Sequence, residues 1–149
     1  MTVSFRPRLT QKFDEKVYPM YSLTVTSQFS AAHFLVDYPG ACRRVHGHNW
    51  KVKACFVAAE LDPQGMVIDL MQLKEALDHV LSDFDHRVLN EVPPFDRINP
   101  TSENLARIIH HTLSAAVKGV QLHALEVFET DDFSVMYTPE ADARPSDLP

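Results

Sequence analysis

The sequence predicts an α+β domain: an antiparallel four-stranded sheet with two helices on one face, in the order strand, strand, helix, helix, strand, strand. Three observations carry this. Residues 21–30 and 49–59 alternate apolar and polar with period two. Two later stretches, starting at Leu70 and at Ser102, repeat apolar residues every three to four positions. After Gly119 the period-two pattern returns, over about 122–129 and 133–138.

Taken in order, YSLTVTSQFS is rich in strand-forming residues, and in NWKVKACFVAA the residues Trp50, Val52, Ala54 and Phe56 share one face while Lys51 and Lys53 take the other. LDPQG then predicts a turn and Met66–Ile68 a short returning strand. Asp69 is placed to cap the first helix, with Gln72 at the capping-box position. Leu70, Leu73, Leu77, Val80, Leu81 and Phe84 form its apolar stripe. PPFDRINP interrupts the chain. The second helix starts at Thr101 or Ser102, with Glu103 in its first turn and Leu105, Ile108, Ile109, Leu113 and Val117 as its buried side; Gly119 is expected to end it.

The 149 residues and 45% hydrophobic content fit one folded domain over 21–138. Residues 1–20 read as a polar arm and 139–149 as a flexible acidic tail. A net charge of −6 argues against nonspecific nucleic-acid binding, which needs a basic surface. No apolar run approaches the roughly 20 residues that cross a bilayer, and MTVSFRPRLTQKFDEK has no signal-like apolar core. The cytoplasm is therefore expected. Two cysteines, Cys42 and Cys55, are too few for a disulfide scaffold.

Chemistry concentrates in CRRVHGHNW. In an extended segment His46 and His48 point the same way, in phase with Trp50, and Gly47 lets the backbone pass closely. His33 ends the first long strand, where antiparallel pairing can bring it alongside. Three imidazoles and an open position suit a catalytic zinc site. His-x-His is equally the pattern of two solvated histidines. Cys42 lies beside Arg43 and Arg44, whose charges favour thiolate; a loop thiol with no task looks the same in sequence. Asp85 and His86 can pair, the carboxylate fixing the imidazole, or can simply decorate a helix end. Glu129 ends an apolar face in phase with Leu125 and Val127, where a carboxylate can accept paired N–H bonds from a heterocycle, or it is an exposed strand end. One sheet face lacks a cover, which predicts an oligomer.

With these residues in place, the chain resembles the 6-pyruvoyltetrahydropterin synthase family. The matching segments are FSAAH, CRRVHGHNW, GMVIDLMQLK, FDHRVLN, NPTSENLA and VFET, spread over about 22–138. The three-residue gap between Cys42 and His46 resembles the bacterial branch that makes 6-carboxytetrahydropterin for queuosine. The pyruvoyl-forming branch has a longer insert there.

The resemblance implies a tunnelling fold, in which subunits join sheets edge to edge, commonly as a homohexamer of two trimers with active sites between subunits. It implies Zn2+ on His33, His46 and His48, with Cys42, Asp85 and His86 as proton-transfer groups. Glu129 would anchor the pterin, with Thr101 and Ser102 nearby. The substrate would be 7,8-dihydroneopterin triphosphate, with Arg43, Arg44 and Arg87 as candidate phosphate contacts. Three competitors remain: the pyruvoyl-forming reaction, a zinc hydrolase that needs no thiol, and a noncatalytic metal- or pterin-binding module with four protein ligands on its metal.

Overall fold

The computed structural model describes residues 20–139. The expected arm, apart from Met20, and residues 140–149 of the expected tail lie outside the described residues. Strands β1 (Tyr21–His33) and β2 (His46–Ala58) form a long antiparallel pair. Helix α1 (Leu70–Ser82) is followed by a two-residue strand β3 (Arg87–Val88), then α2 (Ser102–Ala116), β4 (Gln121–Phe128) and β5 (Ser134–Tyr137). The sheet order is β3-β1-β2-β4-β5.

The core forms where period two meets period 3.6. Trp50, Val52, Ala54 and Phe56 of β2, with Val25 and Phe29 of β1 and Leu122, Leu125 and Val127 of β4, face Leu73, Leu77 and Leu81 of α1 and Leu105, Ile109 and Leu113 of α2. Each fully enclosed Leu, Val or Phe contributes about 1.5–3 kcal/mol relative to exposure. The β2–β4 register slips between Cys55 and Phe56, leaving His123 as an extra residue in β4. This bulge puts Leu122 on the same inner face as Leu125 and Val127.

The two helix starts match their expected caps. Asp69 accepts from the Met71 N–H, and Thr101 accepts from the Asn104 N–H at 3.2 Å.

Four details differ from expectation. Met66–Ile68 is not a strand: the Asp62 carboxylate accepts from the Gln64 and Met66 N–H groups, and the Asp62 N–H donates to the Met66 carbonyl. These bonds close LDPQG into a turn, with Gly65 at φ 82, and use donors that a strand would need. The sheet has five strands rather than four, because β3 pairs in parallel with Ala31 and Ala32. Two residues are too short to show a period. Leu70, in the first turn of α1, is exposed rather than part of the stripe. Helix α2 ends before Gly119, whose φ of 83 serves the turn into β4. The sheet face away from the helices is polar, with Thr24, Thr26 and Gln28 of β1 beside Asn49, Lys51 and Lys53 of β2. No described helix is long and apolar enough to cross a membrane.

Candidate metal and catalytic site

The β1–β2 register sets the site. His33 pairs with His46 and Ala31 with His48, so all three imidazoles project from the inner face at the end of the sheet. Trp50, two residues beyond His48, is fully buried and packs edge-on against His33 and His48 at centroid distances of 5.0 and 5.3 Å. Its indole N–H donates to the Ala31 carbonyl at 3.2 Å, so the wall behind the histidines is itself tied to β1.

Backbone carbonyls orient two of the rings. His33 Nδ1 lies 2.8 Å from the Pro100 carbonyl and His46 Nδ1 lies 2.7 Å from the Arg44 carbonyl. A carbonyl only accepts, so each Nδ1 carries the proton and each Nε2 keeps its lone pair. Glu129, the first residue after β4, completes the group. Its Oε1 is 3.1 Å from His48 Nε2 and 3.9 Å from His33 Nε2. Ser102 Oγ donates to its other oxygen at 3.2 Å.

His33, His46, His48 and Glu129 each offer one donor atom, all within 4.8 Å of one another. A tetrahedral zinc with bonds near 2.0–2.1 Å spaces its donors by about 3.3 Å, so the set has the right span. Among the described residues the buried Nε2 atoms of His33 and His48 have no hydrogen-bond partner; for His48 the carboxylate is close but not aligned for a bond. Buried polar atoms without partners are rare, and a cation accounts for these. Burial lowers the pKa of both rings, against the raising effect of the Glu129 carboxylate, and so favours the neutral form that a metal needs.

The thiol shares this neighbourhood. His33, Cys42, Thr101, Ser102, Glu103, Glu129 and Phe133 are among the residues lining a cavity of about 390 Å³. Cys42 sits in a single helical turn, Ala41–Arg43, and Arg43 and Arg44 beside it are solvent-exposed. The Thr101 hydroxyl is engaged as the cap of α2, whereas that of Ser102 points to Glu129.

Asp85 and His86 lie elsewhere. His86 Nδ1 is 2.8 Å from Asp85 Oδ2, and the Ser30 N–H donates to Asp85 Oδ1 at 2.8 Å. The Ser30 N–H first, and His86 second, hold the Asp85 carboxyl below its usual pKa. The pair is therefore bound to β1 rather than decorating the end of α1. His86, at φ 56 and with its side chain 82% exposed, lines a different recess of about 470 Å³ with Ser30, Ala32, Gly47, His48, Asn49 and Arg87, so the two hollows meet at His48. Gly47 is not needed for close backbone passage: an added Cβ would meet the Ala31 carbonyl at an ordinary 3.6 Å. Its missing side chain instead keeps this recess open.

Two asparagines were not singled out from the sequence, although they stand in the quoted segments FDHRVLN and NPTSENLA. Asn90 accepts from the Phe34 N–H and donates to the Phe34 carbonyl; Asn99 does the same for Val36. Between them the Leu35 N–H donates to the Cys42 carbonyl. These side-chain amides act as substitute peptide groups, extending β1 past its last partner strand and fixing the loop that carries Cys42. Only the fold shows which backbone groups lack partners.

A mixed sheet with helices on its inner face and a three-imidazole, one-carboxylate cluster at its end defines a class of metal-site α+β proteins. Within it, the chain belongs to the 6-pyruvoyl tetrahydropterin synthase family, whose model matches residues 22–140. It is 36% identical over 115 residues to the 6-carboxy-5,6,7,8-tetrahydropterin synthase of Synechocystis sp., covering 73% of this chain and 86% of that protein. It is 35% identical over 127 residues to the 6-pyruvoyl tetrahydrobiopterin synthase of Homo sapiens, covering 75% and 87%. The solved structure of Caenorhabditis elegans 6-pyruvoyl tetrahydropterin synthase superposes with a TM-score of 0.74 at 30% identity, covering 82% of this chain and 97% of that one.

Proposed function

We propose that the chain is a zinc-dependent lyase that, with one water, converts 7,8-dihydroneopterin triphosphate to triphosphate, acetaldehyde and 6-carboxytetrahydropterin, a step of queuosine synthesis in the cytoplasm. The observation that carries this is the shared cavity, where a thiol lies with His33 of the donor set and a carboxylate held by a serine. His33, His46 and His48 are the residues that would hold zinc. When bound, zinc supplies a Lewis acid that makes the substrate's side-chain hydroxyls and the adjacent C–H more acidic.

The chain's own groups divide the remaining work. Cys42 is the base for a side-chain proton. Glu129, steadied by Ser102, accepts paired N–H bonds from the pterin ring; Thr101 shapes the cavity beside it. His86, oriented by Asp85, moves a second proton. Because His86 lines a different recess from Cys42, this role has it act from a neighbouring copy, in a homo-oligomer with shared sites for which we propose a homohexamer. Exposed Phe133 and Met136, before and within edge strand β5, support such an edge-to-edge contact.

Two other functions have specific support. The human relative bears the name of a pyruvoyl-forming enzyme. The fourth donor, Glu129, suits a closed, noncatalytic metal module. Anaerobic incubation of zinc-loaded protein with 7,8-dihydroneopterin triphosphate, followed by mass spectrometry, separates them. Acetaldehyde with the 6-carboxylate is expected. A pyruvoyl product would assign the other branch, and absence of any product would favour the binding module.

A further inference from the structure

We infer that Glu129 exchanges partners during binding: without substrate its carboxylate is the fourth metal donor, and an arriving pterin draws it onto the ring and opens a coordination position. This rests on the lyase function proposed above. Glu129 Oε1 stands 3.1 and 3.9 Å from two imidazole Nε2 atoms, bracketing the spacing of about 3.3 Å expected between tetrahedral donors. Its other oxygen takes the Ser102 hydroxyl at the start of α2, which turns Oε1 toward the imidazoles.

The backbone beneath it is fixed, since the Glu129 N–H donates to the Phe133 carbonyl across the β4–β5 turn. The side chain is less confined: it remains 31% exposed, whereas that of His33 is 3% exposed. Movement of the carboxylate thus needs only side-chain rotation. A metal on Oε1 takes one of that oxygen's two lone pairs and turns the carboxylate toward the imidazoles, so it competes with the parallel approach of a pterin's paired N–H edge. The resting site then holds four donors, and the substrate draws one of them away. A four-donor site is then compatible with catalysis.

The test uses the full-length protein with Co2+ in place of the native metal, because its visible spectrum reports the donor set. Glu129→Gln is expected to change that spectrum and to weaken Co2+ binding by about tenfold or more. Glu129→Asp, which keeps the charge but withdraws the carboxylate, should do likewise and guards against misfolding of one variant. Adding 7,8-dihydroneopterin to the unsubstituted protein should shift the spectrum. If both variants keep the original spectrum and affinity, Glu129 is not a donor and the inference fails. If the variants differ but dihydroneopterin leaves the original spectrum unchanged, the exchange is overturned. Failure of the lyase function would show separately, as absence of product from the zinc protein.

Discussion

The protein holds two histidine–carboxylate pairs, and they are built for different tasks. His48 and Glu129 approach to 3.1 Å at the end of the sheet, among two further imidazoles and against a buried tryptophan. His86 and Asp85 approach to 2.8 Å on an exposed turn. In the first, burial disfavours the charged imidazole and leaves lone pairs that suit a cation. In the second, water surrounds the ring, and the carboxylate is anchored by the Ser30 N–H rather than by burial. Residue type alone therefore does not set the chemistry. All four candidate donors of the first come from one chain.

The sharpest way to break this comparison is to remove a donor from each site. His46→Ala should lower zinc affinity by 100-fold or more, whereas His86→Ala should leave it unchanged; zinc content after dialysis against a chelator series checks both. Equal loss in the two variants would show that the recesses are one site.

A second experiment asks whether the recesses meet between copies. Cys42→Ala and His86→Ala are each expected to abolish turnover while zinc stays bound. Unfolding and refolding them together should restore part of it, since some mixed assemblies place an intact Cys42 beside an intact His86. No recovery would place both groups in one chain's site or remove one from the reaction.

Smaller effects test what holds the first recess. Asn90→Ala leaves the N–H and carbonyl of Phe34 without their partner, which should cost about 1–3 kcal/mol in urea unfolding. It should also raise KM, through displacement of the Cys42 loop. An unchanged KM would make the amide purely structural.

The smallest expected effect is on pH. Burial lowers the folded-state pKa of His33, His48 and His110. The unfolded chain, with imidazole pKa values near about 6.5, therefore binds more protons than the folded one as pH falls through that value. Stability of the zinc-free protein is present above about pH 6.5 and declines below it. Urea midpoints at pH 7.5 and 5.5 would show this; a higher midpoint at the lower pH would contradict the assignment of buried neutral rings.

Much of this was legible in sequence. Two periods separate strands from helices, and the shared phase of His46, His48 and Trp50 already points them inward, because side chains in a strand alternate by geometry alone. Caps at Asp69 and Thr101 follow from local hydrogen bonding. Strand β3 was not legible, being too short for a pattern, nor was the turn that replaces the expected strand at Met66–Ile68. Asn90 and Asn99 carry no local signal, because their partners Phe34 and Val36 are more than 50 positions away.

The sequence by itself determined the α+β class, the inward face of each long element and the shared phase of His46 and His48, since all rest on interactions between near neighbours. Tertiary structure alone decided that Glu129 meets the imidazoles, that the Pro100 carbonyl orients His33, and that Asp85 and His86 face away from Cys42. The two contacts to His33 join residues about 70 to nearly 100 positions apart, and such distances close only when the helices have packed against the sheet.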